Sequence, residues 1–333
     1  HQLSLRILEG CLLLIFFRYY LADTSGNRGF LFTSIKNMKY NNILEMIGNT
    51  PIVKINKLFA KPGVNIYIKL ERANPGGSIK DRIAHHMIKV AEISGQLNKN
   101  TTIIEPTSGN TGIGIAMVAA VKGYKVILVL AESVSIERRK ILTAYGAKII
   151  LSDKKEGIDG SIRLAHKLVK QNPKKFIMLN QYDNLNNPKV HYEETANEIL
   201  QDLPEITHFV AGLGTSGTFT GVGQRLKKQK PDVIKIAVEP YINHKIQGLK
   251  NMSKAIVPKI FDVKIIDKKI MVSDKNAFAM VKKLTRREGL FLGMSSGASM
   301  YVALQIARKI SAGNILVIAP DGGDKYLSTG VFD

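Results

Sequence analysis

The stretch HFVAGLGTSGTFTG, residues 208–221, sets the reading of the whole chain. An apolar run ends in a glycine-rich turn, and a helical pattern follows. Gly212, Gly214 and Gly217 have the spacing G-x-G-x-x-G, which lets a backbone approach a phosphate at a helix N-terminus. The hydroxyls of Thr215, Ser216 and Thr218 are interleaved with these glycines and suit a terminal phosphate with several oxygens. Glu239 lies 22 residues beyond Gly217, near the spacing of a ribose-binding acid. The turn alone therefore leaves open both a dinucleotide and a smaller phosphorylated ligand.

Working outward, short runs rich in β-branched residues recur from Asn65 onward: NIYIKLE, TIIEP, KVILVLA, AKIILS, FIMLNQ, HFVAG, IKIAVEP and NILVIAP. Longer segments at helical spacing separate them, among them RIAHHMIKVAEISG and ERRKILTAYG. Repeated strand–helix–strand units predict an α/β fold with mainly parallel, helix-covered sheets. The nearly continuous apolar strands agree with burial on both faces. Ligands in such folds sit beyond the carboxyl ends of strands, so the turns after strands are where chemistry is expected. Asn and Pro cluster in NQYDNLNNPK, residues 180–189, and mark a domain boundary there.

Three more turns carry candidate chemistry. In NPGGSIKDR, residues 74–82, Ser78 precedes a helix and Lys80 falls in its first turn. The positive end of the helix dipole disfavours a charged amine there. An uncharged or covalently engaged lysine is the alternative to a surface lysine paired with Asp81 or Glu71. In EPTSGNTGIGIA, residues 105–116, Thr107, Ser108, Gly109, Asn110 and Thr111 follow a strand and open a helix. Capping needs one such residue; five in a row suit an anion such as a carboxylate. In GMSSGAS, residues 293–299, Ser295 and Ser296 either cap a helix or turn a hydroxyl toward a ligand.

Composition bounds the rest. The 333 residues are 45% hydrophobic and 23% charged, ordinary for a globular chain. Lys plus Arg number 48 against 27 acidic residues, a net +21. The lysines are scattered, with no aromatic-interleaved basic stripe, so a nucleic-acid partner is not expected. Cys11 is the only cysteine, which excludes an intrachain disulfide or multi-cysteine metal site and fits a reducing cytoplasm. Residues 1–37 read as an extension before Met38. Their run CLLLIFF is too short to span a bilayer, and no membrane role is expected.

Seven motifs, in order, resemble the cysteine synthase (O-acetylserine sulfhydrylase) family of fold-type II pyridoxal-phosphate enzymes: IGNTPIVKI, NPGGSIKDR, EPTSGNTGIGIA, NQYDN, GTSGTFTGV, MSSGAS and KYLSTGVF. The resemblance covers residues 38–333. It implies two domains, 38–185 and 186–333, each with a mainly parallel twisted sheet, part of 50–72 crossing to the second, and an active site in the cleft between them. It implies pyridoxal 5'-phosphate as cofactor, with Lys80 as the Schiff-base lysine and catalytic base. Gly214, Thr215, Ser216, Gly217 and Thr218 match the phosphate loop, which settles the opening choice against a dinucleotide. Asn110 matches the residue at the cofactor's 3′-oxygen and Ser295 the one facing its ring nitrogen. Thr107, Ser108, Gly109, Asn110, Thr111 and Gln181 match the substrate-carboxylate site.

The implied reaction is β-replacement of O-acetyl-L-serine by sulfide or thiosulfate through an aminoacrylate, giving L-cysteine. A related enzyme acting on cysteine or serine, making cystathionine, lanthionine or hydrogen sulfide, shares all the motifs. So would a non-catalytic binding protein on the same fold. SIERRKILTAYGAKIIL and PDGGDKYLSTGVF lean toward the B-type branch, and Lys250, His244 or Lys245 is the candidate cation for thiosulfate. Asp321 replaces a serine of the A-type enzymes and either tunes the reacting groups or caps a turn. The resemblance also implies a homodimer.

Overall fold

The computed structural model describes residues 39–333 with the exception of Ser108. The reading of 1–37 as an extension, Cys11 and Ser108 therefore lie outside the described residues.

In chain order the elements are β1 (Ile52–Lys54), β2 (Val64–Leu70), α1 (Lys80–Ile93), β3 (Thr102–Pro106), α2 (Asn110–Lys122), β4 (Lys125–Ala131), α3 (Ile136–Ala144), β5 (Lys148–Ser152), α4 (Gly157–Gln171) and β6 (Phe176–Ile177). Then follow α5 (Asn186–Val190), α6 (Ala196–Asp202), β7 (His208–Gly212), α7 (Gly217–Gln229), β8 (Ile234–Pro240), β9 (Lys268–Val272), α8 (Asp274–Glu288), α9 (Met294–Lys309) and β10 (Gly313–Ala319). One sheet has the order β1-β2-β10-β7-β8-β9 and the other β5-β4-β3-β6. Every pairing is parallel except β1 with β2. The fold is thus the α/β architecture that the alternating pattern predicts, and it agrees with the fold-type II arrangement that the resemblance implies.

All eight predicted strand runs are present, although FIMLNQ shrinks to the two residues of β6. β1 and β9 were not predicted. β1 is three residues long, and β9, KKIMV, opens on two exposed lysines that hide its apolar end.

β3 is buried at every position, and β10 from Ile315 onward. Covered on both faces, these strands read as unbroken apolar runs. α2 follows β3 and is apolar nearly all round, so it packs as a central helix. Gly114 makes that packing close: a Cβ there would lie 3.0 Å from Ala84 Cβ and 3.1 Å from the Lys80 carbonyl oxygen. The first turn of α1, with Lys80, is thereby held against α2. The turns after β2, β3, β7 and β10 all lie at the carboxyl ends of their strands and carry the residues singled out above.

Candidate active site

Lys80 stands at the first position of α1, whose cap residue is Ile79 without a side-chain cap bond, and the Lys80 backbone N–H donates to Ser78 Oγ at 3.2 Å. The loop before it is tied to the end of β10. Ser78 bridges Asp321 in antiparallel fashion, and the Ile79 N–H donates to the Pro320 carbonyl at 2.8 Å. Lys325 Nζ donates to the Gly77 carbonyl at 2.8 Å, and the Gly76 N–H to Asp81 Oδ2 at 2.6 Å. Gly77 has φ +77, which favours glycine in this tight approach.

The surface-lysine alternative for Lys80 does not hold. Asp81 is turned to Gly76 and Glu71 to Arg82. The Lys80 side chain is partly buried. Desolvation pulls its ammonium down to about 8, against the opposing fields of Asp321 and Glu71.

The turn after β3 places Thr107, Gly109, Asn110 and Thr111 together. Thr107 Oγ1 accepts from the N–H groups of Gly109 and Gly112 at 3.0 and 3.2 Å, so this hydroxyl caps α2. Thr111 Oγ1 donates to Gln181 Oε1 at 2.7 Å, and Gln181 Nε2 to the Pro106 carbonyl at 3.0 Å. Gln181 is itself held by Glu105, whose carboxylate accepts from the N–H groups of Asn180 and Gln181 at 2.8 and 2.9 Å. Burial pushes the Glu105 carboxyl up to about 7 in spite of these donors.

The turn after β7 brings Gly214 to Thr218 to the start of α7. A Cβ on Gly214 would lie 2.4 Å from the Gly248 carbonyl oxygen, and one on Gly217 1.9 Å from Asn187 Oδ1. Ser216 adopts φ +67, a left-handed conformation that aims successive N–H groups to one side. Two residues that the sequence reading missed brace the turn from behind. Asn187 Nδ2 donates to the Gln181 carbonyl at 2.7 Å and to Thr215 Oγ1 at 3.3 Å. His191 sits with Nε2 3.3 Å from Thr218 Oγ1 and Nδ1 2.9 Å from Thr195 Oγ1. Burial, and then the Lys80 charge, hold His191 well below its ordinary value, so it is neutral. Asn187 links the Thr111–Gln181 pair to the glycine turn.

Ser295 and Ser296 fall inside the first turn of α9, whose N-cap is Gly293 without a side-chain cap bond, so neither serine caps it. Ser296 Oγ is buried without a partner. Asp321 is 1% exposed; its Oδ2 accepts from Asn110 Nδ2 at 2.7 Å and Tyr326 Oη at 2.6 Å, while Oδ1 has no partner. Asp321 thus anchors cleft residues through its side chain, whatever turn its backbone makes. Glu239 accepts from the Met252 N–H at 2.9 Å and pairs with Lys269 at 3.0 Å, so it is engaged by its own surroundings.

A cavity of about 560 Å³ opens beside the site, lined among others by Thr107, Asp159, His244, Gln247 and Lys250. Lys250 is compensated there: its amine lies 3.2 Å from Asp159 Oδ1 and 4.7 Å from the Tyr182 ring centre.

These residues fit a phosphorylated aldehyde. One amine is eased toward its neutral form, a glycine turn leaves no room for a Cβ, and buried polar atoms at Asn110 Oδ1 and Ser296 Oγ await partners. That combination on an α/β scaffold defines an enzyme built around a carbonyl cofactor. The chain belongs to the pyridoxal-phosphate dependent enzyme family, whose pattern it matches over residues 43–321, and its cofactor is pyridoxal 5'-phosphate.

It is 50% identical over 264 residues to a cysteine synthase of a Flavobacterium species, covering 77% of this chain and 85% of that one. It is 40% identical over 297 residues to cysteine synthase B of Pseudomonas aeruginosa, covering 89% and 99%. Among solved structures, a hydrogen sulfide-producing enzyme from Fusobacterium nucleatum superposes with a TM-score of 0.83 at 42% identity, covering 87% of this chain and all of that one.

Proposed function

We propose that this enzyme makes L-cysteine from O-acetyl-L-serine and sulfide or thiosulfate, by β-replacement. The observation that carries the reading is Lys80: an amine drawn down to about 8 in the field of Asp321, which bridges Ser78 and accepts from Asn110, and close enough to act on His191, whose Nε2 lies 3.3 Å from Thr218 of the glycine turn. Similarity to cysteine synthases over most of the chain supports it.

When bound, pyridoxal phosphate supplies an aldehyde for amines and a ring that delocalises negative charge from the substrate's α-carbon. Gly214, Thr215, Ser216, Gly217 and Thr218 would hold its phosphate, Asn110 its 3′-oxygen and Ser295 its ring nitrogen. Ser295 is neutral, so it does not enforce a proton on that nitrogen. Thr111, Gln181 and the N–H groups of the 107–111 turn bind and orient the substrate carboxylate, with Thr107 fixing the turn from within. The Lys80 amine takes the α-proton and later returns it, a role suited to a group titrating near working pH.

Lys250 is a poor lone cation for thiosulfate because Asp159 offsets it; Lys245 and His244 remain on the cavity wall. The functional halves are 38–185 and 186–333, an assignment supported by the two sheets, with β1 and β2 contributed to the larger one. The family resemblance further supports a cytoplasmic homodimer. Among the described residues no helix is long and apolar enough to cross a membrane.

The similarity to a hydrogen sulfide-producing enzyme favours one second reading, breakdown of cysteine. A donor screen separates the two. Holoenzyme is offered O-acetylserine, O-phosphoserine or cysteine, each with sulfide, thiosulfate or homocysteine. Turnover of O-acetylserine with sulfide supports synthesis; a higher kcat/KM on cysteine overturns it and leaves fold and cofactor standing.

A further inference from the structure

Arg138 has no role in the site as described, yet it lies between its two loops. It stands on α3 and is 2% exposed. A Cβ on Gly109, which has φ +130, would meet Arg138 Cδ at 2.4 Å and Nε at 3.0 Å, so the arginine stem lies directly beneath the 107–111 turn. Arg138 Nη1 donates to Gln247 Oε1 at 2.5 Å. The guanidinium covers the Tyr326 ring at 4.6 Å, and Nη2 is 3.8 Å from Asp321 Oδ2. Gln247 leads into Gly248, whose carbonyl oxygen fills the place of a Cβ on Gly214. Packed atoms therefore run from the carboxylate turn through Arg138 to the glycine turn.

A buried guanidinium needs compensation. Asp321 lies on one side of it, Nη2 standing 3.8 Å from Oδ2. The arginine packs against Gly109, the cap of α2, and a cation at that end of a helix adds to the pull of the helix N-terminus on an anion. We infer that Arg138 is the positioning residue for the substrate carboxylate: it props Gly109 at the height where the turn's N–H groups meet that carboxylate, and it sets a cation behind them. The inference rests on reading 107–111 as the carboxylate turn.

The test uses full-length holoenzyme and four variants: Arg138→Gln, Arg138→Lys, Gln247→Ala and, for the turn itself, Thr111→Ala. The probe is L-alanine, an amino acid without a β-leaving group, titrated by the change in cofactor absorbance. Its Kd, and KM for O-acetylserine, are expected to rise about tenfold or more in Arg138→Gln, with kcat changed less than about threefold, as fits weaker ground-state binding of a carboxylate by a turn that has lost its prop and the cation behind it. Gln247→Ala removes one partner of the guanidinium but keeps its charge and should give a smaller rise. Arg138→Lys should recover part of the affinity. Unchanged Kd in Arg138→Gln with weakened binding in Thr111→Ala overturns the inference and leaves the carboxylate turn standing. Unchanged Kd in all four overturns the carboxylate turn as well. If Arg138→Gln does not fold, Gln247→Ala decides: no change in Kd there counts against the inference.

Discussion

Asn110 Nδ2 donates to Asp321 Oδ2 at 2.7 Å, joining the first residue of α2 to the segment that follows β10. The same oxygen takes the Tyr326 hydroxyl at 2.6 Å, and Arg138 stands 3.8 Å away. Asp321→Ala would take the shared acceptor from Asn110 and Tyr326 and remove the carboxylate beside Arg138. Loss of one partner from a buried charged cluster costs about 3–5 kcal/mol. The expected result is a Tm lower by about 2–4 °C for each kcal/mol, with weaker cofactor retention because Asn110 is no longer held. Asp321→Asn keeps an acceptor oxygen and should lose less. Equal Tm values for wild type and Asp321→Ala would show that the cluster contributes nothing to stability.

Lys80 gives a pH signature. Its ammonium is lowered to about 8 by burial, only partly offset by Asp321 and Glu71. The neutral amine is the form that engages an aldehyde. Apoprotein should therefore take up pyridoxal phosphate at a rate that rises with pH and levels off above about 8, followed by stopped-flow absorbance. A rise still continuing toward the ordinary lysine value of about 10.4 would show the amine to be solvated. For stability the sign is opposite to that of an ion-paired lysine. A cation with a depressed native value destabilises the fold below about 8, and this is relieved as pH climbs from there to the unfolded value. Lys80→Met apoprotein should lack that relief as well as the yellow colour of the loaded enzyme.

Gly214 and Gly217 make the glycine turn testable without kinetics. A Cβ at Gly214 meets the carbonyl oxygen of Gly248 at 2.4 Å, a main-chain atom that can yield only if the 243–250 segment moves. Gly214→Ala is expected to weaken retention of pyridoxal phosphate at least tenfold, about 1.4 kcal/mol, measured as absorbance remaining after dialysis. At Gly217 the clash is with the end of the Asn187 side chain, so Gly217→Ala combined with Asn187→Ala should recover part of the loss. Unaltered retention in Gly214→Ala would remove the turn from the cofactor site.

How far the site was legible follows from how local each piece is. The glycine turn, Thr107 to Thr111 and the first turn of α1 are each fixed within a few residues by φ, capping and strand–helix succession. Sequence spacing carries all of these. Asn187, His191 and Arg138 act through partners 28, 27 and 109 residues away, and no periodicity marks such pairings. The same holds for Lys250, legible as a cation near the cleft but not as one offset by Asp159 from 91 residues upstream. β9 was lost because its two lysines face solvent, and β6 was overextended because MLNQ leaves the sheet to form the turn that carries Gln181.

Another distant pairing, 116 residues apart, holds the IGNTP segment to α1. Arg82 Nε and Nη2 donate to Glu71 at 2.8 and 2.9 Å, while Nη1 and Nη2 reach Glu198 at 2.6 and 2.7 Å. Lys69, with no exposure, lies 2.8 Å from Glu198 and donates to the Thr50 carbonyl at 2.9 Å. Burial opposes ionisation of Glu71, but Arg82 and Lys69 outweigh it and hold the carboxyl below its usual range. A depressed carboxyl stabilises the fold above its unfolded value and loses that contribution as pH falls through the native value. Glu71→Gln should therefore cost about 3–5 kcal/mol at neutral pH, where Arg82 is left with Glu198 alone. The gap from wild type should narrow in acid, because wild type then loses what the variant never had. Thermal unfolding of both proteins at neutral pH and at successively lower pH is the measurement. A gap of the same size throughout would mean that Glu71 acts by shape and hydrogen bonding, not by charge.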